Sequence, residues 1–105
     1  MAPGLTRRLE LQAILEAIRG SDNVYFQPPP TVQLQFPCIV YKRDFGDTKF
    51  ADNKPYSFKQ RYEITVINRD SDDPAIDLIR AMPMTVFLRH FVRDGLNHDV
   101  FQTYF

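Results

Sequence analysis

Between Phe58 and Asn68 the chain alternates with a period of two: Tyr62, Ile64 and Val66 fall on one side, Arg61, Glu63 and Thr65 on the other. Successive side chains of a strand point to opposite faces, so this pattern predicts a strand with one face buried and one wet. A single half-buried strand cannot exist alone, which obliges the rest of the chain to supply further strands and a covering layer. Gln33 to Arg43 is the first candidate, rich in β-branched and aromatic residues, with Cys38 and Val40 alternating against Ile39 and Tyr41. Pro37 lacks an N–H and places that strand at an edge or delays its start. Met84 to Arg93 and Asn97 to Phe105 supply two more, joined by Asp94-Gly95, a dipeptide suited to a tight hairpin turn.

The covering layer comes from two helical patterns. From Leu5 to Arg19, Leu11, Ile14, Leu15 and Ile18 repeat at helical spacing, and Gly20-Ser21-Asp22-Asn23 ends the run. Asp73-Pro74 is a helix start, with a capping carboxylate and a proline in the first turn; Ile76, Ile79 and Met82 mark its apolar face and Pro83 stops it. Pro28-Pro29-Pro30 reads as a stiff arm between the first helix and the sheet. The expected architecture is α+β: a single domain over residues 1–105 in the order helix-strand-strand-helix-strand-strand, with two helices packed on a mainly antiparallel four-stranded sheet.

Bulk properties narrow the function. With 13 basic and 13 acidic residues the chain has no net charge, which argues against a dedicated nucleic-acid binder. A single cysteine, Cys38, excludes an internal disulfide and any metal cluster built on several cysteines, and fits a reducing cytosol. The stretch Met1 to Gly20 alternates charge with Leu and Ile rather than showing a signal peptide's apolar centre, and no run approaches the length of a membrane span, so neither export by that route nor membrane insertion is expected.

Catalytic patterns are thin. Asp44-Phe45-Gly46 spells the metal-binding tripeptide of protein kinases, but without the glycine-rich loop and catalytic loop it is a coincidence. Asp44, Asp47 and Asp52, and likewise Asp70, Asp72 and Asp73, lack the spacing and closing Glu of a calcium loop, and read as turn and cap residues. His90 and His98 have no nucleophile motif beside them and are assigned surface or interface hydrogen bonds. No enzyme activity, cofactor or metal is expected.

Asp44 to Ser57 is read as a long loop between two strands, and its aromatics Phe45, Phe50 and Tyr56 suit docking on another subunit better than a solvated linker. Charge is also uneven. From Lys42 to Arg61 the basic residues Lys42, Arg43, Lys49, Lys54, Lys59 and Arg61 outnumber Asp44, Asp47 and Asp52, whereas Asp70 to Asp77 holds four Asp and no base. Opposite patches on one molecule suit either two solvated surfaces or a head-to-tail contact that closes into a ring. The expected subunit interface is Phe45, Lys49, Phe50, Asp52, Asn53, Lys54 and Tyr56 in the loop, with Asp70, Asp72 and Asp73 opposite.

Three stretches resemble small structural proteins encoded near the tail genes of long-tailed phages of Gram-positive hosts. They are Phe50-Ala51-Asp52-Asn53-Lys54-Pro55-Tyr56, Tyr62-Glu63-Ile64-Thr65-Val66-Ile67-Asn68-Arg69-Asp70-Ser71-Asp72, and Leu96-Asn97-His98-Asp99-Val100-Phe101-Gln102-Thr103-Tyr104-Phe105. The resemblance implies a tail terminator or tail completion protein of helix-strand-strand-helix-strand-strand fold. Such a virion protein forms a homohexameric ring on the major tail tube protein, stops tube growth, and meets the head-tail connector proteins. It encloses the DNA channel without sequence-specific DNA binding. Assembly in the host cytoplasm and a final place at the head-proximal end of the virion tail are implied with it. Two alternatives remain: a neck or head-closure connector component, and a ferredoxin-like nucleic-acid-binding module that uses the sheet's aromatics.

Overall fold

The computed structural model describes the backbone of residues 3–51 and 54–105 and the side chains of residues 7–44 and 60–105. Its elements run α1 (Pro3–Arg19), β1 (Val24–Phe26), β2 (Cys38–Ala51), β3 (Lys54–Asn68), α2 (Pro74–Arg80), β4 (Thr85–Arg93) and β5 (Leu96–Tyr104). The strands form one sheet in the spatial order β1-β2-β3-β5-β4. The class is α+β as expected, but the sheet has five strands and is mixed: β1 pairs parallel with β2, and all other pairs are antiparallel. β1 escaped the sequence pattern because three residues between a helix-ending turn and a proline run are too few to display a period.

The helices cover one face. Register places Ile39 and Tyr41 of β2 beside Val66 and Ile64 of β3, and Ile64 beside Phe101 of β5. These residues meet Leu11 and Leu15 of α1 and Ala75 and Ile79 of α2 in one core cluster. The alternation in β3 is realised as written, with Tyr62, Ile64 and Val66 at most 1% exposed while Arg61, Glu63 and Thr65 are half-buried. At about 25 cal/mol per Å² of apolar area removed from water, such a layer is the main favourable contribution to folding. On α1 the apolar stripe is narrower than its sequence pattern: Leu11 and Leu15 are fully buried, Ile18 is partly buried, and Ile14 is 37% exposed.

The ends of these elements follow local chemistry. α1 closes on Gly20 at φ +78°, where its N–H reaches the Glu16 carbonyl at 2.9 Å; a Cβ would meet nothing there, so glycine serves the left-handed backbone rather than space. α2 starts at the expected cap, Asp73 accepting from the Ala75 N–H at 2.9 Å. Asp94 and Gly95 both have positive φ, as a tight hairpin turn between β4 and β5 requires.

Two expected boundaries are corrected. The strand placed at Gln33 to Arg43 begins only at Cys38, directly after Pro37. Residues 33–37 instead run beside the sheet, with the Gln35 N–H donating to the Tyr25 hydroxyl at 3.1 Å. The loop placed at Asp44 to Ser57 is mostly strand: β2 and β3 remain paired from Phe45↔Arg61 to Ala51↔Lys54, with bulges after Arg43 and Lys49. Gly46, Asp47 and Pro55 of this segment read as loop formers, but pairing of β2 with β3 absorbs them in a long hairpin. β5 accompanies β3 only from Arg61 to Asn68, so the outer part of that hairpin stands beyond the sheet as a two-stranded ribbon. The molecule is accordingly elongated, 51 Å long and 25 by 23 Å across. Among the described residues no helix is long and apolar enough to cross a membrane.

Candidate assembly surface

The acidic turn after β3 divides into an inner and an outer part. Asp73 is 4% exposed and spent within its own chain. Arg19 of α1 grips both its oxygens at 2.6 and 2.8 Å, Asn68 Nδ2 donates at 2.8 Å, and the Ala75 N–H completes the set. Burial alone would push the Asp73 carboxyl up; the donors from Arg19, Ala75 and Asn68 outweigh it and hold the group below the ordinary carboxylate range. Asp73 is therefore a buried clamp between α1, β3 and α2, not part of an outward patch, a place that its capping role already signals. Asp70 and Asp72 do lie exposed, with Asp70 Oδ1 accepting from the Asp72 N–H at 2.9 Å. Asp77, absent from the expected interface, extends them on α2 and pairs with Arg80 at 3.3 Å.

The basic, aromatic segment forms the ribbon. Phe45, Lys49, Phe50, Lys54 and Tyr56 lie on its paired strands, and their side chains are outside the described set; Asp52 and Asn53 lie outside the described residues altogether. At the ribbon's base, Arg61 Nε holds Asp44 at 3.0 Å. Each strand offers an outer edge with no sheet partner among the described residues: β2 from Asp44 to Ala51, and β3 from Lys54 to Lys59.

The sheet face away from the helices is mixed rather than basic. Glu63 sits between Lys42 at 4.0 Å and Arg89 at 3.7 Å, which sets a carboxylate among the exposed cations of that face and offsets part of their charge. Phe91 stacks on His98 with ring centroids 4.6 Å apart, so that aromatic is already engaged within the sheet. His90 Nε2 lies 3.1 Å from Asn97 Oδ1 and His98 Nδ1 lies 3.0 Å from the Leu96 carbonyl. Among the described residues no group of three or more His, Cys, Asp or Glu side chains could hold a metal ion.

The strand expected at Met84 to Arg93 is present as β4, and the feature missed in the sequence is its exposed apolar edge. β4 is the outermost strand, paired only with β5, and it exposes Val86 (53%), Phe87 (42%), Leu88 (41%) and Val92 (60%). Register sends Val86 to the open face and Phe87 and Val92 to the helix-covered face, while Leu88 falls in a bulge. Phe87 packs edge-on against Phe101 with centroids 5.4 Å apart, leaving much of its ring in solvent. Its signal was the run Val86-Phe87-Leu88, apolar on consecutive positions where a one-sided strand would alternate. Near the start of the strand, Met84 and Ile14 border a depression of about 300 Å³ closed by Pro83 and Phe105, with the Arg7 guanidinium 4.3 Å from the Phe105 ring centroid.

No protein-family model and no curated protein matches the chain.

Proposed function

We propose that the protein is a virion structural subunit that assembles into a ring on the end of a phage tail tube, stops its growth and joins it to the head connector. The observation that carries this reading is the pairing of two assembly elements on one small body: a ribbon reaching beyond the sheet and an apolar strand on the sheet's far edge. A two-stranded ribbon is only marginally stable in water by itself and gains most from packing on a partner. An exposed apolar edge strand is a hazard unless something covers it. The stretches with phage-tail resemblance coincide with this framework, falling on the ribbon, on β3 with its acidic turn, and on β5. The nucleic-acid alternative is weakened by the charge pairing around Glu63 on the open face.

Deleting Phe50 to Asn53 tests the ribbon's role. The shortened protein keeps its melting temperature and no longer associates with tube ends; intact assembly combined with a destabilised monomer contradicts the docking role.

A further inference from the structure

β4 combines two properties seldom left together on a sheet edge: nine residues of strand with an open hydrogen-bonding side, and apolar side chains exposed on both faces. Natural edges are usually blunted by charge on the strand, by shortness or by a cover. Here Arg89 and Arg93 supply charge only in the second half, and Val86, Phe87 and Leu88 leave the first half open. The opposite edge is different: β1 is three residues long, and its partner β2 is also bonded beyond it, the Gln27 N–H donating to the Tyr41 carbonyl and Gln27 Oε1 accepting from the Arg43 N–H. The ribbon has the complementary need. Its β3 side runs without a sheet partner from Lys54 to Lys59 and its β2 side from Asp44 to Ala51, lengths that a nine-residue strand can match.

We propose that β4 is the receiving edge for the β2–β3 ribbon of a second copy of this chain, so that neighbouring subunits share one continuous sheet. Backbone hydrogen bonds along the joined edge supply register, and Val86 and Val92 are covered from opposite faces. Because donor and receiver are different surfaces of one molecule, the contact is head to tail and propagates until it closes. The inference rests on the proposed ring and specifies its seam.

The test uses the full chain with Val86→Lys and Val92→Lys together, one lysine on each face of the edge. Both positions are more than half exposed, so folding is expected to be unaffected. Association, followed by sedimentation velocity with and without the tube protein, weakens by more than about a hundredfold while melting is unchanged. As a second arm, one copy carries Val92→Cys and another Thr48→Cys. Mild oxidation links the mixture but neither alone, and Cys38 does not compete because it is fully buried and burial pushes its thiol up to about 11. Assembly by the lysine variant equal to wild type, linked dimers from Val92→Cys alone, or wild type that stays monomeric even with tube protein overturns the proposal. Cross-linked rings that leave tube growth untouched sink the tail reading and leave the seam standing. Capping by wild type and lysine variant alike sinks the seam alone.

Discussion

Replacing Arg19 by Met removes the cation that pairs with Asp73. The two side chains are 8% and 0% exposed, and the guanidinium makes two short charge-assisted bonds, at 2.6 and 2.8 Å. After the change Asp73 keeps the Asn68 and Ala75 donors but loses its counter-charge in a site with little water. Breaking a buried pair from one side costs about 3–5 kcal/mol. For a domain of this size that is roughly 12–20 °C of melting temperature. The pH dependence follows from the lowered Asp73 pKa. A carboxylate depressed in the native state contributes stability that is fully present above its unfolded value, near 4, and is lost as pH falls through the folded value. The gap between wild type and variant is therefore full at pH 7 and shrinks as wild type is acidified below about 4. Urea unfolding across that range measures it. The double variant with Asp73→Asn loses less than the sum of the single losses, by about 1–3 kcal/mol. An Arg19→Met cost below about 1 kcal/mol, the level of an ordinary surface ion pair, or a gap independent of pH, refutes the clamp.

Two further changes probe the same body. Asp99 faces the helix-covered side at 8% exposure, and burial raises its pKa while His90 partly opposes and Asp73 adds to the shift; ionising it at neutral pH therefore costs stability. Asp99→Asn raises the melting temperature at pH 7, and the gain vanishes below about pH 4, where the unfolded acid is also protonated; a lower melting temperature at pH 7 contradicts the assignment. Tyr41→Phe deletes a fully buried hydroxyl that donates to Gln12 Oε1 at 2.5 Å and accepts from Arg8 at 3.2 Å. It lowers the urea midpoint by the equivalent of about 1–3 kcal/mol at unchanged slope, and a loss within error of zero shows that the network does not hold α1 to the sheet.

Elements with a sustained period were legible in the sequence. β3 spans more than one full alternation, α2 announces itself through Asp73-Pro74, and Asp94-Gly95 fixes the last hairpin. β1 was not legible because its three residues join the sheet through pairing with Val24↔Ile39 and its neighbours, a long-range contact that leaves no local trace. The ribbon was misread for a related reason: Gly46, Asp47 and Pro55 carry loop preferences, and only partner-strand pairing overrides them. The site divides in the same way. Position in sequence grouped Asp73 with Asp70 and Asp72, but Arg19, 54 residues away, draws it inward. The exposed apolar side of β4 depends on which strand ends up outermost, and β5 enters the sheet between β3 and β4 even though β4 precedes it in the chain.

The proposed capping role predicts an effect visible by electron microscopy of phage tail tubes polymerised from a tube protein with and without this protein added beforehand. Shortened tubes bearing a ring of repeated subunits at one end are the predicted result. Tubes of unchanged length with bare ends contradict it, and the head connector then becomes the partner to test.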